Sequence, residues 1–166
     1  MKRLGFALRT IVGAAGLVWS FNFYANAAGS AKDEIIAVEK QIIAATTTDQ
    51  LMDHIDEKEF VLYDFTPPLQ YKGANELRAH FDEFFNTAKD VKGEFVELVV
   101  VADGTLGIAR SIQHFAWRDK EGKLIEGTWR FTDVFHKVDG KWKLIHMHLS
   151  VPVDPATEKG QMNLKP

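Results

Sequence analysis

A chain of 166 residues carrying 20 Lys or Arg against 23 Asp or Glu, a formal charge of −3, has the length of one domain with a sizeable core. Its lack of cysteine excludes disulfides, thiol nucleophiles and thiolate metal sites. The acidic balance offers none of the electrostatic footprint of a nucleic-acid binder.

Residues 1–27 read as a signal peptide. A basic tip at Lys2 and Arg3 precedes an apolar run from Ile11 to Trp19, and small residues stand at Ala25 and Ala27. Cleavage after Ala27 removes Lys2, Arg3 and Arg9 and no acid, leaving 139 residues with 17 basic and 23 acidic side chains and a formal charge of −6. The apolar run is short for a bilayer span, so an uncleaved anchor is the second reading. The expectation is a periplasmic or secreted protein, with no membrane attachment after cleavage, that folds without disulfides.

From Lys32 to about Thr46, Ile35, Ile36, Val38, Ile42 and Ile43 recur at helical spacing, with Asp33 and Glu34 suited to the first turn. Asp49 to about Ile55 predicts a short second helix. Glu59 to Phe65 has strand composition and runs into Pro67 and Pro68, which end it. After Gly73, one face of a third helix is marked by Leu77, His80, Phe81, Phe84, Phe85 and Ala88, with His80 as a packing or edge residue.

Four strands follow, at about 94–101, 105–118, 123–137 and 141–151, with turns at Asp103-Gly104, Asp119 to Gly122 and Asp139-Gly140. Such short connections predict antiparallel order. Residues 28–151 form one domain, and 152–166 a loosely held polar tail. Helices followed by long strands make an α+β layer arrangement. Strands this long must twist and curl, and what the helices leave unfilled beneath them is the default ligand pocket.

The segment from Thr128 to Ser150 carries the chemistry. Trp129, Phe131, Asp133 and Phe135 share one strand face, so a carboxyl group stands among aromatics, where it must be paired, protonated or chemically employed. A two-residue turn at Asp139-Gly140 would pair Val138 with Lys141 and set Asp133 opposite His146. A three-residue turn would pair Lys137 with Lys141 and set Asp133 opposite Ile145. Patterning favours the second, placing Ile145, Met147, Leu149 and Val151 on the apolar face. Trp142, Leu144, His146, His148 and Ser150 then fall on a second face suited to a subunit interface.

His146 and His148 form an HxH pair with no third ligand at a recognised spacing, and His114 and His136 are no better supported, so no metal site is predicted. Tyr63 and Trp129 are expected to be pocket wall or core. Asp64, just before Thr66 and Pro67, suits a turn-initiating role as well as a chemical one.

The runs EIIAVEKQIIAA at 34–45, VLYDFTPP at 61–68, YKGANELRAHF at 71–81 and TDVFHKVDGKWKLIHMHLS at 132–150 resemble the nuclear-transport-factor-2-like superfamily, and within it the SnoaL-like proteins and ketosteroid isomerase homologues. The first and last are also similar to the association domain of calcium/calmodulin-dependent protein kinase. The resemblance implies a cone-shaped fold, with three N-terminal helices packed on a strongly curved antiparallel sheet, in a homodimer. It places Asp64 where the isomerases have the aspartate that moves the substrate proton, and Asp133 where they have a protonated aspartate that hydrogen-bonds the oxyanion. The tyrosine those isomerases carry on the first helix falls near Ile42. Arg110 falls where the kinase domain has a pocket arginine, with an ion pair to Asp133 as the competing role.

Together these readings imply an exported protein whose pocket, walled by Tyr63, Arg110, Trp129, Phe131, Ile145 and Met147, takes a small, mainly apolar carbonyl or hydroxyl compound. If catalytic, it would be a cofactor-independent isomerase, cyclase or dehydratase with Asp64 as base and Asp133 as donor. The alternative is a non-catalytic ligand-binding or oligomeric assembly module.

Overall fold

The computed structural model describes residues 29–165, and the expected signal peptide lies outside them. Helix α1 spans Ala31–Ile43 and α2 spans Thr48–Met52. Each starts at a hydroxyl cap: Ser30 Oγ accepts from the Asp33 backbone N–H and Thr47 Oγ1 from that of Gln50. Two short strands, β1 (Val61–Tyr63) and β2 (Tyr71–Lys72), precede α3 (Ala74–Thr87), so the helices are interleaved with strands. Then come β3 (Lys89–Asp103), β4 (Leu106–Arg118), β5 (Leu124–Val138) and β6 (Lys141–Ser150), followed by a small hairpin of β7 (Val153–Asp154) and β8 (Lys159–Gly160).

The main sheet runs in the order β2-β1-β6-β5-β4-β3. Its pairs are antiparallel except one: β1 lies parallel to β6, with Val61 beside His146 and Tyr63 beside His148. The expectation of a purely antiparallel sheet is corrected there. The turn rule governs only strands joined by short connections, and β1 reaches β6 from far away in sequence. Bulges between Lys89 and Lys92 and between Phe95 and Glu97 interrupt β3, adding to the bend that long strands already need.

The β5–β6 hairpin takes neither expected register throughout. Asp139 and Gly140 alone form its loop, with φ of 49° and 79°, the left-handed pair that a two-residue hairpin turn requires, and Val138 faces Lys141. Phe135 then faces Leu144, but Val134 faces His146, so Ile145 is the extra residue of a bulge. Beyond it Asp133 faces Met147 and Phe131 faces Leu149. The favoured three-residue turn was wrong, and Trp142 and Leu144 join the inner face, both buried.

That inner face and the helices close one core. Ile35 of α1, Leu51 and Met52 of α2, and Leu77 and Phe81 of α3 pack with Phe131, Phe135, Leu144 and Met147. Burying Ile35 and Leu77 completely stabilises the fold by about 1.5–3 kcal/mol each. Gly107 of β4 lets α1 come down onto the sheet, since a Cβ there would collide with the Ile35 side chain. At its N-terminal end α1 is pinned through Glu34, which accepts from Lys137 Nζ at 2.6 Å and Trp142 Nε1 at 2.7 Å. Those two bonds hold the Glu34 carboxyl below its ordinary range.

In the C-terminal segment the Thr128 N–H donates to Met162 O at 2.7 Å, past the end of β6, and Met162 packs against the core.

Candidate functional site

Alternation along β5 buries Gly127, Trp129, Phe131, Asp133 and Phe135 and turns Arg130 and Thr132 to solvent. Asp133 is 1% exposed. Its Oδ1 is buried without a hydrogen-bond partner, as is Trp129 Nε1. Loss of water pushes the Asp133 carboxyl well above its ordinary range.

Asp133, Trp129 and Phe131 line a cavity of about 320 Å³ between the sheet and α3. Phe81, Phe84 and Phe85 of α3 form one wall, and Phe115 and Trp117 of β4 with Met147 and Leu149 of β6 form others. The volume matches a small molecule, and the wall composition matches an apolar one. Few polar groups interrupt it: Asp133, Gln113, Asp64, Thr66 and His80. Gln113 is tied by its Nε2 to Ser111 Oγ at 2.8 Å.

Asp64 follows β1 directly and its side chain is 8% exposed. Oδ1 accepts from the Phe65 N–H at 2.7 Å and Oδ2 from Thr66 Oγ1 at 2.9 Å, which is the turn-initiating role. Oδ2 also lies 3.2 Å from His80 Nε2 on α3, and Tyr71 stacks on the His80 ring at 4.2 Å between centroids. Asp64 is therefore a turn acid that also faces the cavity, with a histidine held beside it. His80, expected to be a packing residue, lines the cavity as well.

One residue of this site escaped the sequence reading. Glu39 of α1 is 1% exposed, and both its carboxyl oxygens lack a hydrogen-bond partner. It interacts with Asp133 from the helix side. Burial raises the Glu39 carboxyl to about 7, and the Glu39 charge adds to the upward push on Asp133. The signal was present in the sequence: Ile35, Glu39 and Ile42 follow the i, i+4, i+7 spacing of a buried stripe, with an acid in its middle.

Asp64, Asp133, Trp129, Phe131 and Met147 thus gather around one cavity. Tyr63, Arg110 and Ile145 do not line it. Tyr63 is 42% exposed and packs edge-on against His146 and His148 on the other side of the sheet. Arg110 is exposed and faces Thr132, while Ala109 is the residue opposite Asp133, so alternation sends the arginine away from the acid. Ile145 is displaced by the bulge it forms. His146 and His148 have their expected place away from the cavity, and His146 Nδ1 lies 2.8 Å from Val61 O.

Residues 35–154 match the model of the SnoaL-like domain. Among solved structures, an NTF2-like protein of unknown function from Pseudomonas putida KT2440 is similar at 26% identity and a TM-score of 0.73, over 82% of this chain and 96% of that one. A ketosteroid isomerase-like protein from Erwinia carotovora atroseptica is 18% identical with a TM-score of 0.62, over 72% and 94% of the two chains. A Xanthomonas campestris protein named for the calcium/calmodulin dependent protein kinase II association domain is 24% identical with a TM-score of 0.65, over 75% and 89%. No curated protein matches the sequence.

Proposed function

Because the chain belongs to the SnoaL-like domain family, within the NTF2-like superfamily, we propose that its cavity binds a small, mainly apolar carbonyl compound and moves a proton next to that carbonyl. The observation that carries this reading is a buried Asp133 carboxyl, its Oδ1 without a hydrogen-bond partner, at the wall of an apolar cavity whose other acid, Asp64, accepts two hydrogen bonds and lies 3.2 Å from the His80 ring. The Asp64 carboxylate takes the proton from the carbon beside the carbonyl. The C–H electron pair moves into the enolate, and the Asp133 O–H donates to the developing oxyanion. Return of the proton to a different carbon isomerises the substrate, and expulsion of hydroxide from the neighbouring carbon, which takes the proton held on Asp64 and leaves as water, dehydrates it. All of these steps use side chains of the chain itself.

The apolar walls exclude water, which strengthens the Asp133 hydrogen bond as charge develops. Asp133→Asn keeps the shape and removes the acidic donor. Incubating simple ketones in D2O and following loss of the α-proton signal by NMR reads proton abstraction whatever the final product. The variant should exchange at least about tenfold more slowly than the parent; an equal rate would remove Asp133 from the mechanism.

We propose further that the protein is exported and works as a homodimer. Export is supported by the composition of residues 1–27. Association is supported by the outer sheet face, where Val101 and Ile108 are paired across β3 and β4, 65% and 44% exposed, and where Tyr63 on β1, beyond β5 and β6, is exposed as well. Sedimentation should give a dimer, whereas a ring of many subunits would favour the assembly-module reading.

A further inference from the structure

The buried Glu39 lies outside the proton-transfer scheme above, yet it is an expensive residue to leave on the inner face of a helix. Its neighbours along that stripe are Ile35 and Ile42, and a leucine or methionine would fill the same space without desolvating a carboxyl. Glu39 does not line the cavity. Ile35 lies over Gly107, and one helical turn on Glu39 meets the next inward-facing pair of the sheet, Ala109 and Asp133; neither oxygen of Glu39 nor Oδ1 of Asp133 has another hydrogen-bond partner. Two adjacent carboxyls out of water cannot both ionise, and a protonated Glu39 gives the buried Asp133 Oδ1 the donor that it otherwise lacks.

We infer that Glu39 is the positioning residue of the site: it shares its protons with Asp133, the Glu39 O–H donating to Asp133 Oδ1 and so leaving the Asp133 proton on the other oxygen as a hydrogen-bond donor toward the cavity. The inference rests on the reading of Asp133 as the donor to a carbonyl oxygen. It also refines the substrate class. A cavity wall that ends in the Asp133 carboxyl, with a second acid behind it, admits a neutral carbonyl and repels a ligand whose carboxylate or phosphate would enter that end first.

The other ionisable groups on the cavity are Asp64 and His80, which contact each other. Elsewhere on α1, Glu34 is paired with Lys137, and Lys40 is exposed. None of these is altered by Glu39→Gln, a neutral replacement of nearly the same shape. Carbon-13 NMR titration of the carboxyl groups needs no substrate and tests the sharing directly. In the parent protein the Asp133 and Glu39 signals should both report two linked steps; in Glu39→Gln, Asp133 should titrate in one step, at least about one pH unit below the parent's upper step. The upper limb of the pH profile for ketone proton exchange should move down with it.

An Asp133 titration unmoved by Glu39→Gln would overturn the sharing. A moved titration with an unmoved rate limb would overturn the positioning role. If Glu39→Gln does not fold, Asp133→Asn gives the reciprocal reading: the Glu39 signal should then report one step in place of two, and a second step that persists overturns the proposal. Failure of the donor reading itself shows separately, as an undiminished exchange rate in Asp133→Asn.

Discussion

Three carboxyl groups converge on this site, and their surroundings give each a different role. Asp64 accepts from the Phe65 N–H and Thr66 Oγ1 and lies 3.2 Å from the His80 ring, the surroundings of an acceptor. Asp133 and Glu39 sit among hydrocarbon and are equipped to hold a proton. Asp64→Asn separates the turn role from the base role. An amide oxygen still accepts from the turn, so thermal unfolding should show a loss of about 1 kcal/mol or less. Proton exchange into ketones should fall by about 10²–10⁴, the usual worth of a positioned base; a variant that loses only stability would leave Asp64 a turn residue. Asp133 was legible in the sequence because strict alternation in TWRFTDVF fixes its face whatever the strand's register. Glu39 was not read, because an acid between isoleucines in a helix looks like a solvated position until its angular place in the stripe is counted.

At the scale of elements, the site depends on how closely α1 lies on the sheet and on the bulge in β6. Gly107 provides the room for α1 and Ile35 fills it. Gly107→Ala should cost about 1–3 kcal/mol in denaturant unfolding, because the buried Ile35 has nowhere to move. Adding Ile35→Val should recover part of that loss, and a double variant no better than the single one would show that the helix seat is set elsewhere. The hairpin shows the limit of reading patterns. Leu144 and Ile145 are adjacent and both apolar, so either can be assigned to the inner face, and shifting the whole strand by one looked better than inserting one residue. The turn chemistry of Asp139-Gly140 pointed to two residues, and the structure agrees with it. With the bulge in place, Trp142 and Leu144 below it and Met147 above it share a face, which alternation alone forbids. The parallel β1–β6 pairing was equally hidden, since nothing local records which distant strand a three-residue strand will meet.

Over the whole molecule, the carboxyl pair makes stability a function of pH. Glu39 has a folded value near 7 against an ordinary value of 4.5. A carboxyl raised by folding binds its proton more tightly in the folded state, so its contribution is intact below about 4.5 and is lost as pH rises through about 7. The size is on the order of 3 kcal/mol across that window. The difference in unfolding free energy between the parent and Glu39→Gln should therefore shift in favour of the variant from pH 4.5 to 7, as read by urea melts. A constant difference would mean that Glu39 ionises as freely as an exposed acid. Stability given up in this way is characteristic of a site that holds a group in an uncomfortable state for use.

The central claim is that Asp133 stands protonated at the wall of the cavity near neutral pH, and the carboxyl carbon signal of Asp133 in the parent protein, assigned through Asp133→Asn, tests it most directly. At pH 7 that carboxyl should be protonated, titrating only well above the ordinary aspartate range. An Asp133 already ionised at pH 5 would contradict it, removing the hydrogen-bond donor on which both the proton transfer and the role of Glu39 depend.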